Sequence, residues 1–258
     1  MTDDRRLPRD LRSASERFAR MLLYEDNHLL VCNKPAGLAT MGDAEDLTLH
    51  SLAAAYLKVR YKKPAGVFVG VVSRLDRMTT GVIVLARTSK AAGRLSAQFA
   101  SRSEKPKKIY LAVVEGLLPD PRATWSDTLF KDEPAHRMRC VDNRTTPRSD
   151  VKTQHAELEY EVFAQSTDQT AVAVRLLSGR KHQIRVQFAD RGSPVVGDRK
   201  YGADSRWPQG IALHSWQLQI VHPTLRERMT FTAPVPRAWP VWTRDRIQQI
   251  PPHGPDGG

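Results

Sequence analysis

The chain has 258 residues, 40% of them hydrophobic, enough for one large domain or at most two small ones with a real core, so global disorder is excluded. Lysine and arginine total 40 against 28 acids, a formal charge of +12, which points to a polyanionic partner or to a generally basic, solvated surface. Two cysteines, a charged start (MTDDRRLPRD) and apolar runs no longer than a core strand set aside disulfide scaffolds, secreted proteins and membrane spans, and make a cytoplasmic location the expectation.

Residues 1–20 carry six arginines and four acids without clear periodicity and read as a basic flexible arm or a short leading helix. Valine- and isoleucine-rich runs at 29–32, 67–72, 82–86, 109–114, 158–164, 171–177, 213–221 and 229–231 predict strands. Leu49, Leu52, Tyr56 and Val59 mark one helix, and Ala92, Leu95 and Phe99 mark a second behind the capping residues Thr88 and Ser89. A third is expected to begin near Ser178, run through Ile184 and Phe188, and stop at Gly192. The aperiodic stretch 131–152, with two prolines, reads as a long excursion that is either disordered or touches the substrate. The last eight residues, PPHGPDGG, offer nothing to pack. The class is α+β, with one extended mixed or antiparallel central sheet flanked by helices and loops.

Three segments carry candidate chemistry. In SRLDRMTTG, residues 73–81, Asp76 sits between Arg74 and Arg77 in a short loop joining two strands. An acid between arginines is commonly a weak surface pair, but a loop held at both ends can present a rigid carboxylate, and flanking cations favour the charged form that a nucleophile or base needs. In GRKHQIRVQFADRGSPVVGDRKYG, residues 179–202, the expected helix start favours an anion, and Arg180, His182 and Arg185 fall within a turn and a half. His182 alone reads best as a packed, hydrogen-bonded histidine. Arg185, between Ile184 and Val186, is expected to be half-buried with a carboxylate partner. In KPKKIYLAVVEG, residues 105–116, Lys107 and Lys108 lie at the mouth of a strand, and Tyr110 points to the face opposite Ile109 and Leu111. Tyr110 is then core, sheet surface or a platform for a nucleobase.

These segments, with VCNKPAGLAT at 31–40 before them and LHSWQLQIVHP at 213–223 after them, resemble the pseudouridine synthases of the ribosomal-large-subunit (RluA) type. The resemblance runs over roughly residues 22–235 and rests on five separated motifs. It implies the pseudouridine synthase fold, with a flexible arm at 1–20, a catalytic domain at 21–245 and a disordered tail at 246–258. It implies that specific uridines in structured RNA, ribosomal or transfer, are isomerised to pseudouridine by base flipping, without cofactor or metal and by a monomer. Asp76 would be the catalytic acid, Arg185 its ion-pair partner, and Tyr110 the residue stacked on uracil. Arg74 would enter the gap left by the flipped nucleotide, and Arg77, Arg180, His182, Lys107 and Lys108 would bind the substrate. The family commonly has histidine where Ser73 stands, which bears on target choice more than on the acid itself. Two rivals remain: a catalytically inactive RNA-binding or ribosome-assembly factor on the same fold, and a hydrolase using Asp76 with His182.

Overall fold

A computed structural model describes residues 11–43, 46–101, 103–142 and 146–250. In chain order the elements are α1 (Leu11–Ala19), β1 (Leu22–Glu25), β2 (Leu29–Lys34), α2 (Leu49–Arg60), β3 (Gly70–Val71), β4 (Thr80–Ala86), α3 (Ser89–Ala100) and β5 (Lys107–Glu115). There follow β6 (Arg122–Asp132), β7 (Arg137–Cys140), β8 (Thr153–Gln165), β9 (Gln169–Leu176), α4 (Gln183–Asp190), β10 (Leu213–Val221), β11 (Arg228–Thr232) and α5 (Val241–Ile247). The chain divides into two compact units, Met1–Pro106 with Ser215–Pro234, and Lys107–His214 with Val235–Gly258. The α+β class expected from the sequence is the one observed. Among the described residues no helix is long and apolar enough to cross a membrane.

In the first unit the strand order is β1, β2, β4, β10, with β11 beside β10 and β3 beside β4. Alternate residues of these strands, Leu29, Val31, Val82, Val84, Leu218 and Ile220, share a core with Ala91 and Leu95 of α3. Their neighbours Leu30, Cys32, Ile83 and Leu85 are buried as well. Burial on both faces is why these strands read as unbroken apolar runs rather than as alternation. Both predicted helices form, α2 behind the Thr48–Ser51 capping box and α3 behind Thr88, whose hydroxyl accepts the Ala91 N–H at 3.1 Å.

The second unit is ordered β5, β9, β8, β6, β7, each neighbouring pair antiparallel. Leu129, Met138, Cys140 and Ala156 pack with Val186 of α4 and with Tyr201. Trp125, Tyr160 and Phe188 form a ring cluster with centroids 4.6–5.7 Å apart.

The structure differs from the sequence reading in several places. The excursion expected at 131–152 begins as a hairpin, since Lys131 pairs with Met138 and Asp132 with Arg137. β6 was overlooked because its apolar side chains alternate with exposed polar ones instead of running together, and residues 143–145 lie outside the described residues. β1 and β7, each of four residues, are too short to show a period. The strand expected over 67–72 pairs only at Gly70 and Val71. Of the two readings of 1–20, the short leading helix is the one observed, from Leu11 with Ala14 and Phe18 buried, while residues 1–10 are outside the described residues. Within the tail expected over 246–258, Ile247 ends α5 and Ile250 is buried, while 251–258 lie outside the described residues.

One glycine fixes the start of β4. Gly81 has φ +114°, and a Cβ there would stand 2.2 Å from the Ser215 carbonyl oxygen. Both the left-handed backbone and the approach of β10 therefore exclude a side chain. Gly81→Ala is expected to destabilise the protein by on the order of 2–4 kcal/mol in denaturant unfolding, and a loss under about 0.5 kcal/mol contradicts this reading.

Candidate active site

Asp76 lies in the turn between β3 and β4, half-buried, with Arg74 and Arg77 exposed on either side of it and Leu75 buried. Its place follows from Gly81, which fixes the start of β4, and from a turn that closes on itself, Thr79 N–H donating to the Asp76 carbonyl at 3.1 Å. A second loop, following β2, holds the turn from outside. Thr40 Oγ1 donates to the Leu75 carbonyl at 2.9 Å and accepts the Leu75 N–H at 3.2 Å. Gly37 N–H donates to the Arg77 carbonyl at 2.9 Å, and Arg77 Nε returns a bond to the Gly37 carbonyl, also at 2.9 Å. Both chain neighbours of Asp76 are thus clamped by backbone-level bonds.

Lys34 closes this arrangement. It is the last residue of β2, in register with Gly81 of β4, and is fully buried. Its Nζ donates to the carbonyls of Pro35 (3.0 Å), Leu38 (2.8 Å) and Arg77 (3.2 Å), which ties the two loops together. Burial pushes the ammonium down to about 8, and the attraction of the Asp76 carboxylate opposes that shift. The sequence reading quoted Lys34 inside NKPAG without giving it a role. A lysine ending an apolar strand was its only signal, and a solvated strand end reads the same way.

In the second unit, Arg185 is buried in α4 as expected, and its carboxylate partner there is Asp198. Arg185 Nε and Nη2 donate to Asp198 Oδ2 (2.5 Å) and Oδ1 (2.9 Å), a two-pronged ion pair with Asp198 only 2% exposed. The guanidinium also lies over the Tyr201 ring, 5.0 Å from its centroid. Tyr201 OH accepts the Met138 N–H at 3.1 Å and lies 2.8 Å from His182 Nδ1. Asp198 and Tyr201 were missed because the GDRKYG segment was read for its cations alone.

His182 is a hydrogen-bonded histidine in contact with a ring, as its residue-level reading held, and its backbone is left-handed at φ +55°. That backbone delays α4 to Gln183, five residues after the expected start. Residues 178–182 form a turn instead, in which Gln183 Oε1 accepts from Ser178 Oγ at 2.8 Å and from Arg180 N–H at 3.0 Å. Arg180 itself is exposed and donates through Nε to the His155 carbonyl at 2.8 Å. Lys107 and Lys108 are half-buried at the start of β5, and Lys108 Nζ reaches the Ser178 carbonyl at 3.5 Å. Tyr110 is 9% exposed and faces Val174 of β9 in register. Among the described residues no three His, Cys, Asp or Glu side chains gather as metal ligands would.

A carboxylate on a clamped turn, a buried ammonium behind it and a buried arginine pair are equipment for charge chemistry, and comparison with known proteins decides which chemistry. The RNA pseudouridylate synthase family profile matches residues 28–190. The chain belongs to this family. It is an isomerase that acts on uridine in RNA. An uncharacterized RNA pseudouridine synthase of Bacillus subtilis, YhcT, is 34% identical over 219 residues, covering 83% of this chain and 68% of that one. The dual-specificity RNA pseudouridine synthase RluA of Escherichia coli is 34% identical over 223 residues, covering 83% and 92%. The solved structure of human RNA pseudouridylate synthase domain containing 4 shares the fold, with a TM-score of 0.74 at 22% identity over 92% of this chain and 97% of that one. The expected family and fold are those found, and they favour the enzyme over both rivals.

Lys34 supplies a prediction whose sign is fixed by linkage. Its native pKa of about 8 lies below the ordinary lysine value of 10.5, so between those pH values the unfolded chain holds a proton that the native state has lost. Stability therefore rises with pH across that window through this group. Unfolding free energies of the wild type minus those of Lys34→Met should increase from pH 8 to pH 10, and a flat or falling difference contradicts the assignment. In the second unit, Asp198→Ala removes a two-pronged ion pair from a buried guanidinium and is expected to cost on the order of 3–5 kcal/mol in chemical denaturation.

Proposed function

We propose that Asp76 is the reacting carboxylate, that Tyr110 stacks on the uracil, and that Arg185 serves the charge at the reaction centre. The observation that carries the first role is the clamp on the Asp76 turn. A carboxylate whose two chain neighbours are bonded to a second loop loses little orientation freedom when the substrate arrives. Arg74 and Arg77, exposed on either side of it, together with Arg180, His182, Lys107 and Lys108, are proposed as substrate contacts, Arg74 entering the place of the flipped nucleotide.

In the reaction the N1–C1′ glycosidic bond breaks, the base turns, and C5 bonds to C1′. The C5 hydrogen leaves to solvent while N1 gains a proton, so the change is redox-neutral and needs no co-reactant. A uridine inside folded RNA must leave its stack before a side chain can reach it, which is the reason for proposing base flipping. The substrate is proposed to be structured RNA, ribosomal or transfer. The resemblance to synthases of the ribosomal-large-subunit type and a relative described as dual-specificity support this. The protein is proposed to work as a cytoplasmic monomer without cofactor, on a catalytic domain spanning 21–245.

Release of tritium from uridine labelled at C5 in a structured transcript tests the activity. Asp76→Asn keeps the shape and removes the charge, so turnover should fall at least a thousandfold while RNA affinity stays within about threefold. Residual turnover within tenfold of wild type contradicts the role. RNA affinity should also fall steeply between 50 and 200 mM salt, by on the order of a hundredfold, because a chain of charge +12 binds through phosphate contacts and counterion release. Affinity flat across that range contradicts phosphate-driven binding.

A further inference from the structure

One face of α2 borders a cavity of about 580 Å3 within the first unit, and none of the proposed reaction residues lines it. His50, Ala54 and Lys58 recur every four residues, so they share that face, and all three line the cavity. Ala55 extends the helix wall, and Leu11 and Val67 stand among the other lining residues. Two short alanines leave a flat, apolar floor where longer side chains would fill the space. The volume falls within the range of sites for small molecules and single nucleotides.

The polar groups on this face are uncommitted. Among the described residues, neither the His50 ring nor the Lys58 ammonium makes a hydrogen bond or ion pair. Arg60, two places further on, is by contrast tied to Glu25 at 3.2 Å. Eight residues of helix separate His50 from Lys58, about 12 Å of rise, the reach of one nucleotide with its neighbouring phosphate. Asp43 and Asp46 also line the cavity, Asp46 accepting the Asp43 N–H at 3.2 Å. They leave Lys58 as the cationic group for a phosphate and supply acceptors for a base bearing an exocyclic amino group.

The cavity is joined to the Asp76 turn through Thr40. His50 N–H donates to the Thr40 carbonyl at 3.2 Å, and the Thr40 hydroxyl holds Leu75. A nucleotide seated on α2 would therefore rest on the same loop that positions the carboxylate.

We propose that this slot takes an unpaired nucleotide of the RNA substrate other than the target uridine. Its base, carrying an amino group, lies on Ala54 and Ala55 beside His50, and its phosphate meets Lys58. The slot thereby adds to target selection, a step that rests on the RNA isomerase assignment. Affinity for a structured transcript and steady-state tritium release from it test this in the full chain. Lys58→Gln, Ala54→Leu and His50→Ala should each weaken affinity and raise KM at least fivefold, more in KM than in kcat. Lys90→Gln, which removes an equal charge from an exposed position on α3, should change neither by more than twofold. Adenosine monophosphate should compete with RNA in the wild type more strongly than uridine monophosphate.

Affinity and KM within twofold of wild type in folded Lys58→Gln and His50→Ala overturn the proposal. So does tight adenosine monophosphate binding that leaves RNA affinity unchanged, which would place a free nucleotide in the slot. Absence of tritium release by the wild type would count against the activity, while the affinity series would still decide the slot.

Discussion

Burying a lysine ammonium is costly unless each donor finds an acceptor, and Lys34 meets that condition with three backbone carbonyls drawn from two loops. The consequences spread outward from this group. Its three bonds draw the loop after β2 against the turn after β3, and the Thr40 and Gly37 bonds then fix Leu75 and Arg77 on either side of Asp76. Gly81 completes the frame from the other side, since only a residue without Cβ lets β10 pass so close to the start of β4. The bonds of its two chain neighbours thus hold the Asp76 turn in place. The partly offset cost of the buried ammonium shows in a pKa drawn down to about 8.

The second unit uses the same device with a different cation. Arg185 is held by both carboxylate oxygens of Asp198 and covered by the Tyr201 ring, while Tyr201 in turn receives Met138 N–H and meets His182. Asp198 spends two acceptors on two of the five guanidinium donors, so the arginine is orientated as well as neutralised. Replacing such a pair by apolar residues is often tolerated by a fold. Its presence on a helix beside the substrate-binding candidates speaks for function.

Much of this was legible in the chain itself. The apolar runs of β2, β4, β5, β9 and β10 declared themselves because strands buried on both faces need no polar alternation, and the capping residue of α3 sat where a helix start requires it. Arg185 stood out as a charge between apolar neighbours, and Asp76 as an acid between arginines in a short loop joining two strands. What stayed hidden depended on contacts distant in sequence or on backbone geometry. β6 alternates like a half-exposed surface strand. The late start of α4 follows from a left-handed His182 that no helix periodicity could reveal. Lys34 and Asp198 looked like ordinary strand-end and loop charges, because burial is a property of what folds over a residue and not of its immediate neighbours.

The clamp holds the Asp76 carboxylate where its charge supports the buried Lys34 ammonium, and a double-mutant cycle in unfolding free energy measures that coupling most directly. The four proteins are wild type, Lys34→Met, Asp76→Asn and the double variant, unfolded in denaturant at pH 7. If the buried ammonium is stabilised by the carboxylate, Lys34→Met costs less once Asp76 is neutral, and the coupling is on the order of 0.5–3 kcal/mol. Additive effects, with a coupling indistinguishable from zero, would show that the clamp holds Asp76 through its backbone alone and that the two charges do not support each other.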